Sequence, residues 1–168
     1  MDVKAKFYIK HLNLQPHPEG GYFSEVYRSE ETLEIKSLPP RYVGDRSFST
    51  SIYFLLEGEQ TSKFHRIKSD EQWHFYDGSS VKIFILSEQG ELNITTLGRN
   101  SLNGEVFQTI IKRGNWFAAE LIDKNSFALV GCVVSPGFEF SDFELGKREE
   151  LVTKFPEHND LIRRLTNS

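Results

Sequence analysis

Between Gly58 and Gly78 the chain reads GEQTSKFHRIKSDEQWHFYDG, which sets His65, Ile67, Glu71 and Gly78 in the pattern His-x-Ile-x3-Glu-x6-Gly. An imidazole with an ordinary pKa near ~6.5 suits general acid–base chemistry at neutral pH. A carboxylate nearby would orient the ring and favour its charged form. His65 and Glu71 are therefore the candidate catalytic pair. As metal ligands they would be weak alone, because a transition-metal site usually takes three or more N, O or S donors from the protein. Ile67 offers only carbon. His74 is the nearest further donor, but three residues from Glu71 along a strand it faces the opposite side unless a bulge intervenes. The expectation is a site with no metal and no other cofactor.

Six further residues are candidate substrate contacts: Glu25, Arg28, Tyr53, Trp73, Trp116 and Glu139. Glu25 shares strand parity with Phe23 and Tyr27, and an inward Glu25 needs a partner such as Arg28 or His65. Arg28 and Arg46 are each placed to clamp a carboxylate or phosphate bidentately. For Arg46 a surface ion pair is the expectation. Trp73 and Phe75 share parity with Glu71, and Trp116 is a further pocket wall, although core packing is the ordinary role of such rings. Tyr22, Tyr53 and Tyr76 all offer a phenolic acid, and nothing in the sequence chooses among them. In SPGFEFSDFE, Phe138, Phe140 and Phe143 are expected to seal one end of the fold while the acids face water. The alternative puts Glu139 or Asp142 in the pocket as the acidic partner of His65.

These residues need a scaffold. The length of 168 residues suits one domain, 1–168, with a core that needs no staples. A net charge of −4 and a pI near 5.8 argue against a nucleic-acid partner. The single cysteine, Cys132, lies in the apolar run ALVGCVV and reads as a small buried hydrophobe in a reducing compartment. No apolar run is long enough to span a membrane, and the N-terminus lacks a signal-like stretch, so a cytoplasmic protein is expected. Residues 2–12 have helical spacing, ended by Pro16 and Pro18. Strands are expected at 22–27, 49–56, 71–76, 81–86, 91–97, 106–112, 116–122 and 127–134. Residues 29–46 read as a long loop, 87–90 as a hairpin turn, and 145–165 as a helix interrupted at Pro156. Short strands at such intervals argue for an antiparallel sandwich or barrel.

The 58–78 motif resembles the first motif of the cupin superfamily with its second histidine replaced. In metal-binding cupins that motif supplies two histidines and a glutamate, and a second motif supplies a third histidine. Here Lys112-Arg113-Gly114-Asn115-Trp116-Phe117 resembles the second motif, with Lys112 for its proline and Phe117 for its histidine. Four longer blocks, PEGGYFSEVYRS, STSIYFLL, GNWFAA and VGCVVSPGFEF with Asp142-Phe143-Glu144, resemble an uncharacterised cupin family over nearly the whole chain. The resemblance implies an all-β, cupin-type (double-stranded β-helix) jelly-roll barrel with short helices at both termini. It also implies a homodimer with no settled activity, and a small-molecule ligand is expected because a barrel mouth is a concave apolar cavity with a few polar groups. A more distant resemblance, Gly-Gly-Tyr-Phe-Ser-Glu followed by a strand and His65, is to the nucleotide-sugar 3,5-epimerases. It implies metal-independent epimerisation with His65 as base and with Glu25 and Arg28 lining the site. Three readings follow: a sugar or carbonyl isomerase, a non-catalytic small-molecule binder or sensor, and a metal-dependent cupin enzyme with an atypical site.

Overall fold

The structure is a computed structural model and describes residues 2–168. Helix α1 spans Val3–His11, and Asp2 caps it by accepting from the backbone N–H groups of Lys4 and Ala5. Strands follow as β1 (Gln15–Pro16), β2 (Tyr22–Arg28), β3 (Thr32–Leu33), β4 (Arg46–Ser47), β5 (Thr50–Glu57) and β6 (Thr61–Arg66). Then come β7 (Asp70–Gly78), β8 (Val81–Leu86), β9 (Leu92–Leu97), β10 (Gln108–Ile111), β11 (Trp116–Leu121), β12 (Phe127–Ser135) and β13 (Glu144–Leu145). Helices α2 (Arg148–Lys154) and α3 (Asn159–Arg164) close the chain, separated by a short 3₁₀ turn at Pro156–His158.

The strands form two main antiparallel sheets, ordered β1-β2-β5-β12-β7-β10 and β13-β6-β11-β8-β9. They face one another without closing into one continuous ladder. The main core lies between them, with Phe54, Trp73 and Val130 from the first sheet against Ile83, Phe117 and Leu121 from the second. Both sheets are also covered outside. Phe64, Phe84 and Trp116 on the back of the second sheet pack against Leu151, Phe155 and Ile162 of the C-terminal helices. Leu55 and Leu129 on the back of the first pack against Ala5 of α1. Strands buried on both faces lose clean alternation and read as continuous apolar runs, as ALVGCVV does. Burying each such side chain stabilises by about 1.5–3 kcal/mol.

The expected strands are all present. Besides the two-residue strands β1 and β13, two segments differ from the sequence reading. Residues 29–46 contain the short pair β3–β4 and a 3₁₀ turn at Ile35–Ser37. Strand β6, which carries His65, escapes the pattern because its residues, TSKFHR, are mostly polar and its alternation is broken by a bulge.

Bulges decide what faces the space between the sheets. On β6, Phe117 pairs with His65 but Ala119 pairs with Ser62, so Lys63 and Phe64 of β6 oppose Ala118 alone on β11. Ser62 and His65 therefore share a face despite their odd spacing. On β2, Glu25 pairs with Ile52 but Tyr27 pairs with Ser51, which leaves Val26 unpaired. Glu25 and Arg28 consequently face the same way. Tyr27, placed with Glu25 by parity, turns out to be 54% exposed.

Candidate functional site

A cavity of about 90 Å³ opens between the sheets, with His65, Glu71 and Trp73 at its floor and Glu25, Arg28 and Glu139 at its mouth. Its floor rests on Glu19, in the turn before β2. Gly20 has φ 110° there, and a Cβ on it would sit 2.2 Å from the Thr61 carbonyl oxygen. Only glycine lets the turn approach β6 this closely. The Lys63 N–H then donates to the Glu19 carbonyl at 2.8 Å. This sets the Glu19 carboxylate beneath His65.

Glu19 Oε2 lies 3.0 Å from His65 Nε2. Glu19 Oε1 accepts from Ser62 Oγ at 2.7 Å. His65 Nδ1 lies 2.7 Å from the Lys63 carbonyl oxygen, which can only accept, so Nδ1 carries a proton. Both residues are buried, at 2% exposure for His65 and 5% for Glu19. Burial pushes the imidazole toward neutrality, but the Glu19 charge and hydrogen bond outweigh it and hold the His65 pKa above its ordinary value. Burial likewise pushes Glu19 up, and His65 outweighs it to hold the carboxylate below its ordinary value. The pair is an imidazolium–carboxylate with both ring nitrogens committed.

His17 completes this end of the floor. Its Nδ1 accepts from the Glu19 backbone N–H at 3.3 Å, which leaves Nε2 as the protonated nitrogen of the neutral ring. Burial lowers its pKa, and the neighbouring His65 charge adds to that against the pull of Glu19. His17 is thus a neutral hydrogen-bond donor beside a charged histidine.

Glu71, on β7, is different in kind. It is 8% exposed and makes no salt bridge among the described residues. Burial pushes its pKa up to about 7, with the His65 charge opposing and the Glu19 charge assisting. Cys132, which pairs with Trp73 from β12, is held as a thiol by burial and by the nearby Glu71 carboxyl. The indole N–H of Trp73 and the Cys132 thiol lie beside the Glu71 carboxyl and pull its pKa down against burial, although the indole N–H makes no hydrogen bond of good geometry among the described residues.

The mouth is built from Arg28. Its Nε and one Nη donate to the two Glu25 oxygens at 3.0 and 2.8 Å, and the other Nη donates to Glu139 at 2.7 Å. A roof of Phe138, Phe140 and Phe143 follows β12. Phe143 lies 5.3 Å from the His65 ring, and Phe140 stacks at 6.1 Å on His17. Behind the roof, Arg46 grips Asp142 bidentately at 2.7 and 2.6 Å. The two are 3% and 4% exposed. This corrects two expectations: Arg46 belongs to a buried ion pair rather than a surface one, and Asp142 does not face water. The phenylalanines do cover the end of the fold as expected, with a buried clip holding them there.

Six of the eight sequence-predicted site residues line this cavity: His65, Glu71, Glu25, Arg28, Trp73 and Glu139. Tyr53 does not. It sits on the outer face of its sheet, 5.9 Å from Tyr76. Trp116 does not either, since it belongs to the outer cluster under the C-terminal helices, with the Arg66 guanidinium 4.6 Å above its ring. The expected pairing of His65 with Glu71 is also corrected, because the hydrogen-bonded partner is Glu19. Sequence reasoning missed Glu19, His17 and Ser62. The available signal was an acid directly before two glycines, Glu19-Gly20-Gly21.

The two carbon-only positions of the motif stay carbon-only in space. Ile67 lines the cavity and Phe117 packs against the His65 ring, with centroids 4.0 Å apart. Among the described residues no three of His, Cys, Asp or Glu are arranged to hold an ion. This donor set does not fit the metal that the cupin resemblance implies.

Residues 6–146 match the family described as Cupin superfamily (DUF985). An uncharacterised Saccharomyces cerevisiae protein, YML079W, is 30% identical over 151 residues, which cover 84% of this chain and 75% of that one. The crystal structure of protein SO0799 from Shewanella oneidensis is 38% identical, with a TM-score of 0.88 over 99% of both chains. Oxalate decarboxylase from Bacillus subtilis is 17% identical, with a TM-score of 0.55 over 89% of this chain and 36% of the enzyme, a likeness of fold alone. No helix among the described residues is long and apolar enough to cross a membrane.

Proposed function

This chain belongs to the cupin superfamily family described as DUF985, and from that premise we propose that its cavity is a small-molecule site in which Glu71, rather than His65, moves a proton. The observation that carries this reading is the contrast between the two. His65 has both nitrogens engaged, by Lys63 and by Glu19. Glu71 is buried in the cavity with no salt bridge among the described residues, and its pKa of about 7 puts both protonation states within reach at neutral pH. The reaction class that fits is proton transfer at a carbon next to a carbonyl, as in isomerisation or epimerisation. Glu71 takes the proton, and the Trp73 N–H beside it, which makes no hydrogen bond of good geometry among the described residues, is a donor for the oxygen on which charge develops. The His65–Glu19 pair holds a fixed field beside Glu71. No step is routed through a metal.

Two experiments test this. Carbon-13 NMR of labelled glutamate, assigned with Glu71→Gln, should show one carboxyl titrating near neutrality. An ordinary carboxylate titration for Glu71 would remove the reading. A screen of carbonyl compounds for deuterium uptake from solvent should find exchange with the native protein that Glu71→Gln lacks. A second reading, a binding protein without turnover, is favoured by the commitment of His65 and by the placement of Tyr53 and Tyr76 outside the cavity. It wins if bound ligands never exchange.

A further inference from the structure

The charges around the cavity do not balance. Four carboxylates line it, Glu19, Glu25, Glu71 and Glu139, against two cations, Arg28 and His65. Both cations are already engaged: Arg28 by Glu25 and Glu139, at 2.8 and 2.7 Å, and His65 by Glu19 at 3.0 Å. His17, lowered by burial, adds no charge at neutral pH. Glu71 is left with no salt bridge among the described residues. An anionic occupant would bring a further negative charge into a site with no free cation, and an unpaired buried charge is costly. The arginine clamp expected for a phosphate is closed by the protein's own carboxylates.

Much of the remaining lining is aromatic, with Phe23, Phe138, Phe140, Phe143 and Trp73 beside the aliphatic Ile52, Ile67 and Val134. Ring faces attract cations, most strongly where water is excluded. The Trp73 indole N–H and the Cys132 thiol lie beside Glu71 and favour its ionised form, so neither is a free donor for an anion while Glu71 is ionised. We propose that the occupant of this cavity is a small organic cation, an amine or quaternary ammonium with a compact body, seated between the aromatic rings and Glu71. This rests on the cavity being a ligand site and names the class of ligand. It is compatible with the proton chemistry above, because an ammonium group beside a carbonyl compound favours both the ionised Glu71 and the negative charge that develops on substrate oxygen.

A pH signature follows. The groups facing Glu71 are His65 from β6, Glu19 from the turn before β2, and Cys132 from β12, with His17 across the cavity. The cation binds best to ionised Glu71, so affinity rises with pH until Glu71 is fully deprotonated. Protonation of His17 at lower pH acts in the same direction.

The test is calorimetry on the full chain with choline, its uncharged carbon isostere 3,3-dimethylbutan-1-ol, and inorganic phosphate, at several pH values. Choline is expected to bind about tenfold tighter than the isostere, more tightly at pH 8 than at pH 6, while phosphate gives no heat. Glu71→Gln should remove most of the discrimination. Glu139→Gln, at the exposed mouth, should reduce it by a smaller factor while leaving the protein folded. Equal binding of choline and the isostere, or preference for phosphate, overturns the cation class but leaves a ligand site in place. Failure of choline to bind at tens of millimolar also overturns it. In every case the Glu71 NMR titration reports separately on the proton-transfer reading.

Discussion

The floor and the mouth of the cavity use the same parts and behave differently. Each has a bulge that turns residues three apart to one face, Ser62 and His65 on β6, Glu25 and Arg28 on β2. Each joins a cation to carboxylates at hydrogen-bonding distance. At the mouth the Arg28 and Glu139 side chains are 35% and 45% exposed, so water and salt screen the attraction. At the floor the His65 and Glu19 side chains are 3% and 7% exposed, and the low local dielectric makes each charge sensitive to its neighbour. The mouth can exchange partners with a ligand at small cost. The floor holds its charges fixed, and Glu71 beside it is left poised near neutrality. Depth, rather than residue type, separates a rim from a chemical centre.

The comparison can be broken most forcefully at the floor. Glu19→Ala leaves the His65 imidazolium buried and unpaired, and should cost about 3–5 kcal/mol in denaturant unfolding. A loss below 1 kcal/mol would place the pair on a par with the mouth. The pH dependence has two signs. Glu19, lowered, contributes stability that is present above its unfolded pKa and lost as pH falls through its folded one. His65, raised, contributes stability that is present below its unfolded pKa and lost as pH rises through its folded one. The native protein should therefore weaken at both acid and alkaline ends, and Glu19→Gln should flatten that profile.

Arg46→Met removes the bidentate partner of buried Asp142, leaves it only Lys68 at 3.6 Å, and should cost on the order of 3 kcal/mol. Amide exchange should quicken in the roof around Phe138 to Phe143. Unchanged exchange there would separate the clip from the roof. Glu71→Gln is the next smaller effect. Its raised pKa means that the native state holds a proton that the unfolded chain releases between about pH 4.5 and 7, so wild-type stability falls as pH rises through that window. The variant, which has no such proton to lose, should gain on wild type by about 2–3 kcal/mol between pH 5 and 8. A constant difference across that range would refute the shifted carboxyl. Arg28→Met should change stability by about 1 kcal/mol or less, more at low salt than at high. A larger loss would mean that the mouth, too, is built into the core.

The strands around the core were legible because their apolar residues alternate or run together. His65 and Glu71 stood out because a histidine and a carboxylate in one short polar segment suggest chemistry whatever their geometry. Trp73 followed from parity with Glu71, and Glu25 from parity with Phe23. Parity then failed at Val26, where the bulge carries Arg28 inward and Tyr27 outward. It also failed for β6, whose bulge hides the strand's period. Glu19 was illegible for another reason. It lies 46 residues from His65 along the chain, and its neighbours read as a turn.

The sequence alone determined the class of fold, the cupin-like motif with Ile67 and Phe117 in place of donors, and six of the residues around the cavity. These are local properties, since a side chain's chemistry and its strand period travel with the chain. Tertiary structure decided which charges meet. It gave His65 to Glu19, turned Asp142 from water to Arg46, sent Tyr53 and Trp116 to the outer faces, and left Glu71 in the cavity with no salt bridge among the described residues. Those outcomes depend on bulges, on one close approach permitted by Gly20, and on burial, and the pKa of a carboxylate is set by its surroundings.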